Sequence, residues 1–205
     1  MTKLTSLSVQ ASRVKSLEPL ARLTNLTSLS VQTKIADSLE PLAPLTKLTS
    51  LSVQADRVTS LEPLAGLTRL TSLRVNVNSV KNLEPLSGLS NLTLLSVQAN
   101  AVASIEPLAD LASLTALRLQ AIALARLEPL AGLTNLTSLS VQANAVEGLE
   151  PLAGLTNLTS LTLSGMRAEI DLSPLRGLRG LVALGILGVS VRNLDSVSHV
   201  PSVRL

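Results

Sequence analysis

Leucine recurs along this chain with a period of 22 residues, and the polar residues between the leucines recur with the same period. When position 0 is placed on a leucine, nine units follow one another, and only the last step is 23 residues long. They begin at Leu4, Leu26, Leu48, Leu70, Leu92, Leu114, Leu136, Leu158 and Leu181, and we number them repeats 1 to 9. Because no linker interrupts them, the sequence predicts one domain over residues 1–205, built from stacked repeats.

Apolar and polar residues alternate over positions 2 to 6 of each repeat. Position 3 is Leu in all nine repeats and position 5 is Val, Leu or Ile, whereas positions 2, 4 and 6 are mostly Ser, Ser and Gln. This period of two predicts a short strand with one buried face. Positions 13, 16 and 19 are apolar, and Pro occupies position 15 in eight repeats, which together predict a short helical turn.

The segment LTSLSVQANAVEGLEPLAGLTNL, residues 136 to 158, carries a clear family resemblance. It resembles the leucine-rich-repeat pattern L-x-x-L-x-L-x-x-N-x-V/I-x-x-L-x-P-L-x-x-L, and most closely the 22-residue class of the internalin family of bacterial surface proteins. The resemblance covers all nine repeats. It implies an α/β solenoid with a curved, parallel concave sheet and short helices or 3-10 turns on the convex side, used for protein binding.

The chain departs from this family pattern in three places. Position 8, where the family has Asn, keeps it only at Asn78, Asn100 and Asn144. The extra residue of repeat 8 lies within residues 168–171, before Leu172. No capping segment is evident at either end, so we expect both ends of the core to be open to self-association.

The composition disfavours several classes of function. The chain is 46% apolar without Phe, Trp or Tyr, so its core must be aliphatic. The net charge of +3 comes from 17 basic and 14 acidic residues, and the basic residues are scattered, which disfavours nucleic-acid binding. With no cysteine and one histidine, no cofactor and no conventional metal site are expected.

Two features bear on location. The longest apolar run, residues 181 to 191, is too short to span a bilayer. Met1 and Thr2 lead directly into the first repeat, so we expect no signal peptide, with the cytoplasm as the default compartment. Four Asn-Leu-Thr sequons begin at Asn25, Asn91, Asn135 and Asn157, and we interpret them as a by-product of the repeat.

Two groups of residues could suggest chemistry. His199 lies near Asp195, Ser196 and Ser198, but nothing in this region predicts the preorganised pocket of a hydrolase, so no enzyme is predicted. Position 14 is Glu in seven repeats, which could form a cation-collecting ladder. Because each Glu precedes the Pro of a helical turn, we favour a charge that complements the helix N-terminus. These residues are Glu18, Glu40, Glu62, Glu84, Glu106, Glu128 and Glu150.

The outward positions of repeats 4 to 6 break the Ser-Ser-Gln rule. Arg74 and Arg118 share a column two repeats apart, about 10 Å by ladder spacing, and we expect Leu94 to lie between them on the same face. We interpret the exposed Leu flanked by two Arg as a candidate hot spot for an acidic or carboxylate-bearing partner. The alternative is drift in a repeat array, or two solvated charges. The predicted partner-binding residues are Ser72, Arg74, Asn76, Leu94, Ser96, Gln98, Arg118 and Gln120.

Two functions follow from these patterns. The first is a non-enzymatic protein-binding module, in which a rigid sheet displays side chains to a protein partner of unknown identity. The second is a structural or self-assembling scaffold, natural or designed, without a natural ligand. The first predicts a patch whose mutation abolishes binding, and the second predicts end-to-end association.

Overall fold

The computed structural model describes residues 3–205, and twelve short strands lie within them. They are β1 (Ser6–Gln10), β2 (Ser28–Thr33), β3 (Ser50–Ala55), β4 (Ser72–Asn76), β5 (Leu94–Gln98), β6 (Ala116–Gln120), β7 (Ser138–Gln142), β8 (Ser160–Ser164), β9 (Ile170–Asp171), β10 (Ala183–Leu187), β11 (Val191–Arg192) and β12 (Ser202–Arg204). Ten of them form one parallel sheet in the order β1-β2-β3-β4-β5-β6-β7-β8-β10-β12, and β9 pairs with β11 in a second sheet. This parallel stack confirms the predicted leucine-rich-repeat solenoid.

Every strand of the main sheet pairs in register with the same repeat positions of its neighbour. Leu29 lies opposite Leu51, and Leu51 lies opposite Leu73. Sequence order therefore equals spatial order from β1 to β8. The consequence for function is that each repeat position forms a straight column of side chains across the sheet.

Strand alternation sends one face of the sheet into the core. Leu29 and Val31 are at most 2% exposed, whereas their neighbours Ser28 and Ser30 point to the other face. The buried leucines of positions 13, 16 and 19 pack in the same cluster as the inward-facing strand residues. Burying a Leu or Val contributes about 1.5–3 kcal/mol relative to leaving it exposed, so the core supplies the main stabilisation. We call the outward-facing side of the main sheet the concave face.

Short 3-10 helices lie on the opposite, convex side. They span Glu18–Leu20, Glu40–Leu42, Glu62–Leu64, Glu84–Leu86, Glu106–Leu108, Glu128–Leu130, Glu150–Leu152, Ser173–Gly177 and Leu194–Val197. Proline stands in the first turn of the first eight, as predicted, because it lacks the N–H that is unsatisfied there. The N–H of Glu18 donates to Ser16 Oγ at 3.2 Å, and the N–H of Glu84 donates to Asn82 Oδ1 at 2.8 Å.

A ladder of threonine hydroxyls fastens the strand starts of successive repeats. The hydroxyl of Thr27 donates to the Thr5 carbonyl at 3.1 Å, and Thr49 donates to Thr27 in the same way. The ladder continues through Thr71, Thr93, Thr115, Thr137 and Thr159. Each hydroxyl adds a hydrogen bond between repeats, so the ladder ties every strand start to that of the preceding repeat.

The Asn residues of the Asn-Leu-Thr sequons form hydrogen bonds between neighbouring repeats. The side-chain amide of Asn91 donates to the Thr68 carbonyl at 2.9 Å, and Asn135 and Asn157 donate to the preceding repeat in the same manner. The threonine of each sequon belongs to the hydroxyl ladder. Both residues recur because they join repeats, which is a physical reason for the sequon to repeat.

Position 8 varies from repeat to repeat in both residue type and burial. The side-chain oxygen of Asn100 is buried and has no hydrogen-bond partner within residues 3–205. Met166 fills the same position in repeat 8 and is 3% exposed, whereas Ile122 in repeat 6 is 41% exposed. The loops that follow the strands therefore differ from repeat to repeat, unlike the strands themselves.

The extra residue of repeat 8 coincides with a local change of structure. There the chain forms β9, and the Asp171 carboxylate accepts hydrogen bonds from the Ser173 N–H and the Asn193 amide, each at 2.8 Å. Arg192 forms an ion pair with the other carboxylate oxygen at 3.0 Å. The bonds from Asn193 and Ser173, with the charge of Arg192, lower the pKa of Asp171 to about 2. This cluster clamps β9 to β11 and joins repeat 8 to repeat 9.

Candidate functional site

The candidate site lies on the concave face of strands β4, β5 and β6. In-register pairing sets Arg74 beside Ser96 and Ser96 beside Arg118, which makes one column of three side chains. The other two columns also follow the register. Ser72, Leu94 and Ala116 form the column toward the strand starts, and Asn76, Gln98 and Gln120 form the one toward the strand ends.

The structure places all eight sequence-predicted residues on this face. Arg74, Leu94 and Arg118 are exposed, and Leu94 is 47% exposed, which is unusual for a strand leucine in this chain. The remaining five, Ser72, Asn76, Ser96, Gln98 and Gln120, are half-buried. The register adds one detail to the expectation: the residue directly between the two arginines is Ser96, and Leu94 lies one column away.

Two shallow depressions flank the arginine column. The first, about 370 Å³, lies toward the strand ends and is bordered by polar side chains of Ser52, Gln54, Asn76 and Gln98. The second, about 300 Å³, lies toward the strand starts and is bordered by Leu94, Ala116, Ser138 and Ser140. Arg74, Ser96 and Arg118 border both depressions. The arginine column therefore divides a polar half of the site from a more apolar half.

Five outward-facing residues border these depressions but were not predicted for the site: Ser52, Gln54, Ala116, Ser138 and Ser140. Ser52, Gln54 and Ser140 carry the default residues of their columns, so nothing in their identity singled them out. Only the strand register indicates that they belong to the site, because Ser52 pairs with Arg74 and Ser140 pairs with Arg118. Gln120, in contrast, was predicted for the site but borders neither depression.

The two arginines carry charge that nothing on the concave face compensates. Within the described residues, neither guanidinium has an ion pair or a hydrogen bond. The outward positions of β1 to β8 carry Ser, Thr, Gln, Asn, Ala, Leu and Arg, and no acidic residue. The seven glutamates of position 14 lie on the convex 3-10 helices. The site thus combines two free positive charges, one exposed leucine and a set of neutral hydrogen-bonding groups.

The side chains around His199 contact the preceding repeat. The ring Nε2 of His199 lies 3.0 Å from the Leu178 carbonyl, and the ring is half-buried. Ser196 is 3% exposed, and its hydroxyl faces the Arg176 guanidinium at 3.5 Å. These contacts join repeat 9 to repeat 8, which gives both side chains a structural role.

Two kinds of feature are missing from the described residues. Over residues 3–205, no group of three or more His, Asp or Glu side chains is arranged to hold a metal ion. In that same part of the chain, no helix has the length and apolarity needed to cross a membrane.

The fold is shared with solved structures of known proteins. An internalin (inlF) from Listeria monocytogenes superposes with a TM-score of 0.86 and 26% identity, covering 98% of this chain and 60% of its own. Internalin C2 (inlC2) from Listeria monocytogenes gives a TM-score of 0.72 and 33% identity, covering 78% of this chain and 71% of its own. This chain therefore spans less than two thirds of the inlF internalin.

A third similar structure supports the fold alone. It is the TLR13 chain of a TLR13–ssRNA13 complex, with a TM-score of 0.73, 22% identity, and coverage of 98% of this chain and 32% of that one. No model of a known protein family matches the chain, and no curated protein sequence matches it.

Proposed function

Because this chain belongs to the leucine-rich-repeat proteins of the 22-residue, internalin-like class, we propose that it is a non-enzymatic protein-binding module. Its partner docks on the concave face of β4 to β6, where Arg74, Leu94 and Arg118 are the anchoring side chains. The in-register strands hold the backbones of these residues at fixed spacing, so docking orders the anchoring side chains without ordering the backbone beneath them.

One observation carries this proposal. Along the outward positions of β1 to β8, the residues that are either charged or large and apolar are Arg74, Leu94 and Arg118, and they come from three adjacent strands. Arginine is enriched among residues that dominate binding energy, and a central exposed leucine adds apolar area. Because neither arginine is engaged within the protein, both are free to pair with acidic groups of a partner.

The test compares the protein with a variant in which Arg74, Leu94 and Arg118 are all changed to Ser. Serine is the default residue of both columns, so the variant restores the ordinary concave face and leaves the core unchanged. The two proteins are immobilised, exposed to the same protein extract, and their retained partners are quantified by mass spectrometry. The proposal expects at least one partner to be retained by the original protein and lost by the variant.

Arg126→Ser is the matched control, because Arg126 belongs to the same repeat as Arg118 but borders a depression formed with the convex-side residues Glu128 and Glu150. It removes one positive charge without touching the concave face. If the triple variant retains the same partners as the control, the concave face of β4 to β6 is not the binding surface.

A second candidate, end-to-end association of copies, has its own observation. Leu194, Val203 and Leu205 are exposed near one end of the sheet and border a depression of about 440 Å³. At the other end, Leu7 and Val9 are half-buried, whereas their counterparts in the inner repeats are buried. Light scattering over a wide concentration range separates the two: constant mass favours the binding module, and growth with concentration favours the scaffold.

A further inference from the structure

The polar depression of the concave face has the composition of an anion site. Arg74 and Arg118 border it, and so does Ser96, which lies between them in the sheet. The side-chain amides of Gln54, Asn76 and Gln98 supply further donors, and none of the bordering residues is acidic. Such a set of donors, without a competing carboxylate, is suited to a ligand that accepts several hydrogen bonds at once.

The charge of the site points to a ligand with two negative charges. Arg74 and Arg118 are both unpaired within the described residues, so the depression carries about two positive charges. A single carboxylate carries one negative charge and leaves one arginine uncompensated. A phosphoryl group on a side chain carries about −1.5 to −2 at neutral pH and so balances both.

The spacing of the two arginines also favours a ligand with more than two acceptor oxygens. The two arginines stand two strands apart, about 10 Å between their backbones, with Ser96 on the strand between them. The two oxygens of a carboxylate are satisfied by the fork of one guanidinium. A phosphoryl group has three terminal oxygens, which is enough to accept from both guanidinium groups and from the Ser96 hydroxyl together.

We propose that Arg74, Ser96 and Arg118 bind a phosphorylated side chain of the protein partner, with Asn76 and Gln98 donating to the same group. This inference rests on the proposed function and names the chemistry of the partner. Leu94 receives an apolar side chain next to the phosphorylated one. Because Leu94 and Ser96 are two residues apart on β5, an extended peptide matches them when its apolar and phosphorylated residues are also two apart, about 7 Å.

The experiment measures the affinity of the whole chain for three synthetic peptides. All three have Leu two residues before the test position, which is phosphoserine in the first, serine in the second, and an Asp-Asp pair in the third. Titrations are followed by backbone and arginine side-chain NMR signals at physiological salt, where unspecific surface attraction is screened. The phosphopeptide is expected to bind with saturable shifts in β4 to β6, about tenfold or more tightly than either other peptide.

The variants Arg74→Ser and Arg118→Ser are each expected to weaken phosphopeptide binding about tenfold, since each removes a charge-assisted hydrogen bond. Arg126→Ser is expected to leave binding unchanged. Three results would overturn the inference: no saturable phosphopeptide binding, equal loss in Arg126→Ser and the concave variants, or equal affinity for the Asp-Asp peptide.

The same variants separate this inference from the proposed function. A protein partner that depends on Arg74 and Arg118 but still binds after phosphatase treatment would overturn the phosphoryl site and leave the binding module intact. If no substitution on the concave face changes which partners the chain retains, the proposed binding module is overturned as well.

Discussion

The two faces of the same strands follow opposite rules. On the inward face, position 3 is leucine in every repeat, and from β2 to β10 these leucines are at most 2% exposed. On the outward face, position 4 is serine in most repeats but arginine at Arg74 and Arg118, without any change in strand pairing. The difference shows that the fold constrains one face tightly and leaves the other free to carry a binding surface.

The largest loss of stability is expected for a substitution on the inward face, which adjacent leucines allow us to compare with the outward face. Leu95 points inward and is 2% exposed, whereas Leu94 points outward and is 47% exposed. Leu95→Ala is expected to lower the free energy of unfolding by about 2–5 kcal/mol, because it leaves a cavity in a packed core. Leu94→Ala, measured by the same denaturant titration, is expected to change it by less than about 0.5 kcal/mol. Equal losses would mean that the two faces do not differ as described.

A smaller loss of stability is expected for a substitution in the threonine ladder that joins the strand starts. Thr115→Val keeps the shape of the side chain but removes its hydrogen bond to the Thr93 carbonyl. We expect a loss of about 0.5–1.5 kcal/mol in the free energy of unfolding, the usual net value of one such bond. Thr162→Val is the matched control, because Thr162 lies in β8 on the concave face and donates no side-chain hydrogen bond within residues 3–205. An equal response of both variants would remove the ladder from the description of the fold.

A pH-dependent effect is expected at the junction of repeats 8 and 9. The pKa of Asp171 is lowered from 3.8 to about 2 in the folded chain, mainly by the Asn193 amide, so its charged form favours folding. That stabilisation is complete above pH 4 and is lost as pH falls through about 2. In thermal melts, the difference between the protein and Asp171→Asn should therefore be largest above pH 4 and shrink toward pH 2. The effect is small, because the ion pair with Arg192 is exposed. A difference that is constant over this range would contradict the assignment.

The smallest effect on stability is expected at the candidate site itself. Arg74→Ser and Arg118→Ser replace exposed, unpaired side chains by the default residue of the column, so the free energy of unfolding should stay within about 0.5 kcal/mol. Denaturant titration checks this directly. A loss comparable to that of Leu95→Ala would place the arginines among the structural residues.

The inward face could be predicted almost completely from the sequence. The alternation around Leu95 and Val97 gave the strand and its buried side, and the Glu-Pro-Leu triplets gave the short helical turns. Both follow from local periodicity, which a repeat presents nine times. The outward position of Arg74, Leu94 and Arg118 followed from the same alternation.

Interactions between repeats were harder to predict. The threonine ladder depends on which carbonyl of the neighbouring repeat lies opposite each hydroxyl, and the sequence does not show that. The extra residue near Asp171 was visible, but its consequence, the pairing of β9 with β11, depends on contacts with Arg192 and Asn193 some twenty residues away. The two depressions likewise depend on the register of neighbouring strands.

Site-specific photo-crosslinking on the concave face distinguishes a protein-binding surface at β4 to β6 from an inert one. A photoreactive residue at Ser140, which borders the depression beside Leu94, is compared with one at Ser30, which occupies the same column in repeat 2. A binding module that uses β4 to β6 predicts a crosslinked protein from position 140 that disappears when Arg74 and Arg118 are changed to Ser. If both positions give the same crosslinks, and replacing the two arginines does not change them, a binding surface at β4 to β6 is contradicted.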